Sequence, residues 1–202
     1  MRTKEKHALF NRISGVYGLF FAWQVRNYQG ILKKVRHDLD LSLYNNVIDI
    51  GCGTGALCYA LHQYGLAVTG IDPAEKMIRI AQQKTEQRMK GPLLQFMQGD
   101  VLRGLPFEDK SFDLAFASYV AHGFEPEERR IMYGEMKRVA KNLVVLVDYN
   151  EGRSLITNLV EWLEGGAYFN FIKTVKDELQ EQFENMQEIN IGKRSSLYLC
   201  AI

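Results

Sequence analysis

Val47-Ile48-Asp49-Ile50-Gly51-Cys52-Gly53-Thr54-Gly55-Ala56-Leu57 decides how the chain is read. An apolar, β-branched run enters a glycine-rich turn and a helix-forming run leaves it, the pattern of a strand, a tight loop and a helix start. Each glycine has a physical reason. Without a Cβ, Gly51 can take turn dihedrals closed to other residues, Gly53 lets backbone approach a ligand, and Gly55 lets the helix pack near the strand. The first N–H groups of that helix lack intrahelical acceptors and face whatever sits in the crevice. The stretch predicts a loop that binds a nucleotide or nucleoside.

Gly51-x-Gly53-x-x-Ala56 satisfies the dinucleotide fingerprint. Two details point elsewhere. Asp49 lies within the strand, where a carboxylate repels a pyrophosphate and attracts a cation. A third glycine at 55 extends the pattern to Asp-x-Gly-x-Gly-x-Gly. The ligand that suits such a crevice is S-adenosylmethionine (SAM), with a sulfonium, an ammonium and no phosphate. Asp49 to Gly55 resembles motif I of the class I SAM-dependent methyltransferases. The resemblance continues through Gly70-Ile71-Asp72, Gly99-Asp100-Val101 and Phe112-Asp113-Leu114-Ala115-Phe116, covering roughly residues 45–148. Phe10-Asn11-Arg12-Ile13-Ser14-Gly15-Val16-Tyr17 is similar to the opening F-D-x-I-A-x-x-Y of small-molecule members, including those of quinone biosynthesis, with Asn11 in place of Asp.

The resemblance implies a donor site made of Tyr17, Asp49, Gly51, Cys52, Gly53, Gly55, Asp72, Pro73, Met77, Asp100, Val101, Ala117 and Ser118. In the family the tyrosine matched by Tyr17 lies near SAM, the acid matched by Asp100 bonds the adenine amino group, and the residue matched by Met77 faces the adenine. Asp72 comes about 20 residues after Gly51, the spacing of a ribose-binding carboxylate. A carboxylate can accept from both vicinal hydroxyls; an Asp capping the next helix is the plainer alternative. Cys52 reads equally as a small residue filling its place, Met77 as core, Asp100 as a turn residue and Asp113 as structural.

The chain has 202 residues, 47% hydrophobic and 24% charged, with a formal net charge of +1. That fits one globular domain, residues 1–202, and gives no electrostatic case for nucleic acid or an acidic membrane. Lys33-Lys34-x-Arg36 reads as a solvated helix face. Three cysteines, Cys52, Cys58 and Cys200, without a C-x-x-C argue against disulfides and metal, and for a reduced, cytoplasmic protein. No apolar run has the roughly 18 residues of a membrane helix. The run Ile13 to Trp23 lacks a cleavage site and reads as an amphipathic helix rather than a signal peptide. A monomer and a homodimer both remain open.

In order, residues 1–40 read as a helical cap, bent near Gly15 and Gly18 and rich in aromatic rings; it either packs on the domain or serves as a lid. Strands are predicted at about 45–50, 67–72, 93–97, 112–118, 142–148, 186–191 and 195–201. Helices are predicted at about 55–64, 75–89 and 127–139, with a helical insertion at 154–185 broken at Gly165-Gly166. Gly192-Lys193-Arg194 joins the last two strands as an antiparallel hairpin. The expected fold is α/β: a Rossmann-like three-layer sandwich whose seven-stranded, mostly parallel sheet runs 3-2-1-4-5-7-6, the order of the resembling family.

Methyl transfer from a sulfonium needs alignment and exclusion of water, and a base only where the acceptor must lose a proton. His122, Tyr119, Asp148 and Tyr149 are the candidates, because they follow strands 4 and 5 at their carboxyl ends, where open α/β sheets place ligands. His122 can be a base, a substrate ligand or a packed ring. The acceptor is expected to be a small, partly apolar molecule, bounded by the N-terminal helices, the loop after strand 4 and the aromatic run Trp162 to Phe171. The rival readings are an NAD(P)-binding oxidoreductase and a SAM-binding protein without catalysis.

Overall fold

In the computed structural model, residues 20–86, 93–150 and 167–202 are described, with side chains at 167–170 left aside. The predictions for Tyr17, for the bend at Gly15 and Gly18, and for Trp162 to Gly166 lie outside the described residues. Seven strands form one sheet in the order β3-β2-β1-β4-β5-β7-β6. The order and the terminal hairpin are those expected from the sequence. By chain contacts the molecule divides into two compact units, residues 1–100 and 101–202.

The first unit contains α1 (Phe21–Lys34), β1 (Asn46–Ile50), α2 (Ala56–His62), β2 (Ala67–Asp72), α3 (Glu75–Thr85) and β3 (Leu94–Gln98). β1 and β2 pair in parallel from Asn46↔Ala67 to Ile50↔Ile71, and β2 and β3 from Val68↔Leu94 to Asp72↔Gln98. Val47, Ile48, Asp49 and Ile50 are all buried, as expected of a parallel strand covered on both faces. α3 turns Met77, Ile78, Ala81 and Thr85 inward at helical spacing. The cap helix α1 packs Phe21 and Val25 against Ala56 of α2, with Tyr28 and Tyr59 at the margin. Burial of those rings, rather than propensity alone, holds α1 down.

The second unit contains β4 (Phe112–Ser118), α4 (Pro126–Val139), β5 (Ala140–Tyr149), α5 (Ala167–Gln182), β6 (Asn185–Gly192) and β7 (Ser195–Ala201). α4 opens with Pro126 in its first turn and a capping box in which the Glu125 N–H donates to the Glu128 carboxylate at 3.0 Å. β5 runs parallel to β4 and antiparallel to β7, and β7 is antiparallel to β6. β5 starts two residues earlier than expected, because Ala140 leaves α4 directly in an extended conformation.

Among the described residues, Arg129 of α4 is the largest fully buried side chain. Its guanidinium donates through Nε to Glu178 Oε2 at 2.7 Å, through Nη2 to Glu178 Oε1 at 2.5 Å, and through Nη1 to the Phe124 carbonyl at 2.6 Å. A buried charge keeps its place only when paired and hydrogen-bonded in this way. Truncation at Arg129 strands Glu178, so Arg129→Ala is expected to cost about 3–5 kcal/mol in chemical denaturation. A loss below about 1 kcal/mol would show that the pair is not buried in solution.

Candidate active site

The glycine loop is built as its spacing demands. Gly51, Gly53 and Gly55 all have positive φ, 72°, 53° and 77°, a region other residues enter at a cost. The N–H groups of Gly51 and Cys52 both donate to the Ile71 carbonyl, at 2.8 and 2.9 Å. The Gly53 N–H donates to Asp72 Oδ2 at 2.9 Å, while Asp72 Oδ1 accepts the Ala74 N–H at 2.8 Å. Asp72 thus braces the loop and accepts the backbone N–H just ahead of α3, the second in keeping with the plainer helix-entry reading. The Thr54 hydroxyl reaches Gln24 Oε1 of α1 at 3.3 Å, so the cap helix touches the loop.

The glycines differ in what they permit. A Cβ at Gly53 would meet nothing within 4 Å, which leaves the backbone there open to a ligand. A Cβ at Gly55 would lie 2.7 Å from Phe96 Cε1 and 3.0 Å from Ala81 Cβ. The close packing expected of Gly55 is thus against a ring of β3. Gly70, the partner of Phe96 in the β2–β3 register, would place a Cβ 2.6 Å from the same ring. Sequence reasoning missed Phe96; its one signal was an aromatic in strand 3 facing a glycine in strand 2.

Asp49 departs from the expectation of a carboxylate fronting the crevice. It is 1% exposed. Its Oδ2 accepts the Cys58 thiol at 3.1 Å, and Oδ1 has no hydrogen-bond partner among the described residues. Burial pushes its pKa up to about 7, with the nearby Asp72 charge adding to the rise and the Cys58 thiol opposing it. At neutral pH this carboxyl is poised between forms, and a bound cation would draw it to the charged one.

The remaining expected donor residues are placed as follows. Cys52 and Met77 are buried, and Pro73 and Asp100 half-buried. The Gly99 N–H donates to the Asp72 carbonyl at 3.2 Å, fixing the turn that precedes Asp100. Val101 is buried at the start of a 3-10 turn, Ala117 is buried near the end of β4, and Ser118 is half-buried. Asp113 meets Lys141 Nζ at 3.3 Å, in keeping with a structural role.

In the second unit the structure brings together all four candidate catalytic residues. Asp148, 2% exposed, lies near the end of β5. Its Oδ1 contacts His122 Nδ1 at 2.8 Å and accepts the Tyr149 N–H at 2.8 Å; its Oδ2 accepts the His122 N–H at 3.3 Å. The His122 ring meets Tyr149 edge-on at 4.8 Å between centroids, and Tyr119 lies 5.2 Å from Tyr149. The histidine without a visible partner in the sequence has one in the fold.

A methyltransferase-domain family matches residues 47–142. The demethylmenaquinone methyltransferase of Thermotoga maritima is 33% identical over 180 residues, covering 86% of this chain and 67% of that protein. The chain belongs to the class I SAM-dependent methyltransferases. The demethylmenaquinone methyltransferase of Staphylococcus haemolyticus is 27% identical, over 93% of this chain and 78% of that one. The solved PH0226 protein of Pyrococcus horikoshii superimposes with a TM-score of 0.69 at 24% identity, covering 85% of this chain and 88% of that one. The magnesium protoporphyrin IX methyltransferase of Synechocystis, solved with S-adenosylhomocysteine bound, does so with a TM-score of 0.62 at 21% identity, over 88% and 82%. At these identities the two structures speak to the fold.

This methyltransferase uses SAM as its methyl donor. The residues present fit that donor: open backbone at Gly53, a carboxylate at the end of β2, and the orphaned Oδ1 of Asp49. SAM supplies a methyl group already activated on sulfur. The chain contributes binding, orientation and the exclusion of water.

The raised pKa of Asp49 gives a signed expectation. The unfolded carboxyl ionises near 3.8 and the folded one near 7, so apo-protein stability falls as pH rises across that window. Asp49→Asn should melt higher than wild type at pH 8, by about 1–3 kcal/mol, and equal it near pH 4. SAM binding should release a proton near pH 7 and tighten from pH 6 to 8, read by calorimetry in buffers of different ionisation enthalpy. Affinity independent of pH, with no proton released, would contradict a charge-coupled Asp49. Gly55→Ala should cost about 2–4 kcal/mol through φ strain and the clash with Phe96, whereas Gly53→Ala should cost only about 1 kcal/mol of stability.

Proposed function

We propose that this methyltransferase acts on a small, partly apolar, ring-shaped acceptor of the quinol kind. It binds SAM through the loop 51–55, Asp72, Pro73, Met77, Asp100, Val101, Ala117 and Ser118, with Tyr17 near the donor, as the resemblance implies, and Asp49 acting from beneath the loop. The observation that carries the acceptor class is the aromatic cluster around His122: Tyr149 at 4.8 Å and Phe171 at 6.5 Å between ring centroids, with Tyr119 tilted against Tyr149 at 5.2 Å. Flat apolar faces favour a flat apolar partner. The two relatives above, both named demethylmenaquinone methyltransferases, support the same class.

The chain works as one methyltransferase domain, as a monomer or homodimer, in the cytoplasm. Its three cysteines, all buried and free, support a reducing compartment. Among the described residues no helix is long and apolar enough to cross a membrane. A net charge of +1 supports a small-molecule acceptor over nucleic acid.

Isothermal titration with SAM, S-adenosylhomocysteine and NADH tests the donor. Both adenosyl ligands should bind and NADH should not, and Asp49→Ala should weaken SAM about tenfold or more. NADH binding that ignores the Asp49 substitution would overturn the reading.

A further inference from the structure

The loop after β4 carries more constraint than a connection needs. Tyr119, a bulky residue, sits in the left-handed region with φ 56°, at a cost of about 1–3 kcal/mol. Its N–H donates to the Val147 carbonyl at 2.7 Å and its hydroxyl to Ser195 Oγ at 3.0 Å, so the strained residue is tied at both ends. At the far end of the loop the buried Arg129 holds the Phe124 carbonyl. Between these anchors lies the short turn Ala121–Gly123 that carries His122.

Asp148 makes two different bonds to this turn. The bond from the His122 N–H would cap the turn by itself, and an asparagine would serve equally. The bond to His122 Nδ1 does something else. A carboxylate accepts, so Nδ1 carries the proton and Nε2 is the basic nitrogen of the ring. The same carboxylate, 2% exposed, stabilises an imidazolium formed when Nε2 takes a proton. His122 keeps 15% of its side chain exposed, flanked by Tyr149 and Phe171.

We propose that His122, oriented by Asp148, is the general base of this methyltransferase, and that the acceptor carries a hydroxyl on a planar aromatic ring. This rests on the ring-shaped acceptor proposed above and goes further, by naming the group that reacts. The acceptor O–H bond breaks, its proton passes to Nε2 and its electron pair stays on the ring system. A bond forms from that oxygen to the methyl carbon, while the carbon–sulfur bond breaks with its pair remaining on sulfur as a neutral sulfide. Where a neighbouring ring carbon is methylated instead, its hydrogen leaves to solvent as a proton and the oxygen takes its own proton back from His122. An amine acceptor has its lone pair ready near neutral pH when unprotonated and a thioether has no proton, so neither uses such a dyad.

Asp148 and Tyr149 from β5 and Phe171 of α5 face the imidazole, with Tyr119 of the loop against Tyr149 and the Arg129–Glu178 pair behind Phe171. The test has an arm free of turnover. Histidine-labelled protein, saturated with S-adenosylhomocysteine, is followed by long-range proton–nitrogen correlation from pH 6 to 9. The expected result is a neutral His122 protonated at Nδ1 with titrating Nε2, and a lower pKa in Asp148→Asn. A ring protonated at Nε2 when neutral overturns the proposal. In the second arm, SAM is offered with reduced 1,4-dihydroxynaphthalene or with 1-naphthylamine, and S-adenosylhomocysteine is measured. Only the hydroxylated ring should turn over. His122→Gln should lower kcat about 100-fold or more with donor affinity unchanged, and Asp148→Asn should move the acid limb of the pH profile downward. Wild-type kcat in His122→Gln, equal methylation of the amine, or turnover of neither ring overturns it. Failure of S-adenosylhomocysteine to bind at all would strike the methyltransferase reading instead.

Discussion

One carboxylate holds the glycine loop in shape. Asp72 spans from the Gly53 N–H to the Ala74 N–H, 2.9 and 2.8 Å away, and so joins the glycine turn, the end of β2 and the start of α3. Three consecutive odd-numbered glycines at positive φ form a loop with little intrinsic preference for one shape. The hydrogen bond at its midpoint, together with the paired N–H groups of Gly51 and Cys52 on Ile71, gives it one. Because each carboxylate oxygen has two lone pairs, bracing the loop leaves Asp72 capacity to accept from a ligand's hydroxyls.

Two further acids complete a division of labour. Asp49 is buried against Cys58, and that burial pushes its pKa up to about 7. Asp148 is buried in the other half of the chain and spends its two oxygens on a histidine ring and on neighbouring backbone. In the roles proposed above, the first arranges affinity for a cation and the second arranges a proton's destination. Both follow from the same rule, that a carboxyl taken out of water must find donors or change its protonation. Arg129 and Glu178 obey the rule as a pair and, through the Phe124 carbonyl, steady the loop that carries His122.

What was legible in the sequence was what is local. Gly51, Gly53 and Gly55 announce their positive φ by being glycine, and the strands ending at Asp72 and Ser118 end where their apolar runs do. The order of strands came with the family resemblance, whose sheet the five α/β units and terminal hairpin match. What was not legible depends on register between distant segments. His122 and Asp148 are 26 residues apart and meet only because β5 lies parallel to β4, with Ser118 opposite Val147. Phe96 fills the space left by Gly55 and Gly70, a contact that no spacing along the chain encodes. The depth of Asp49 was missed for a related reason: alternation marks the face of a strand, and a parallel strand buried on both faces gives no such mark.

The central claim is that Asp72 sets the glycine loop and, through it, the proposed donor site. The affinity of Asp72→Asn for S-adenosylhomocysteine, measured by titration calorimetry beside a melting curve, tests it most directly. Asparagine can still accept the Ala74 N–H, but its amide nitrogen cannot accept from Gly53. Affinity should fall about ten- to a hundredfold, the worth of charged hydrogen bonds lost from loop and ligand together, while the fold persists. Wild-type affinity in that variant would contradict the account.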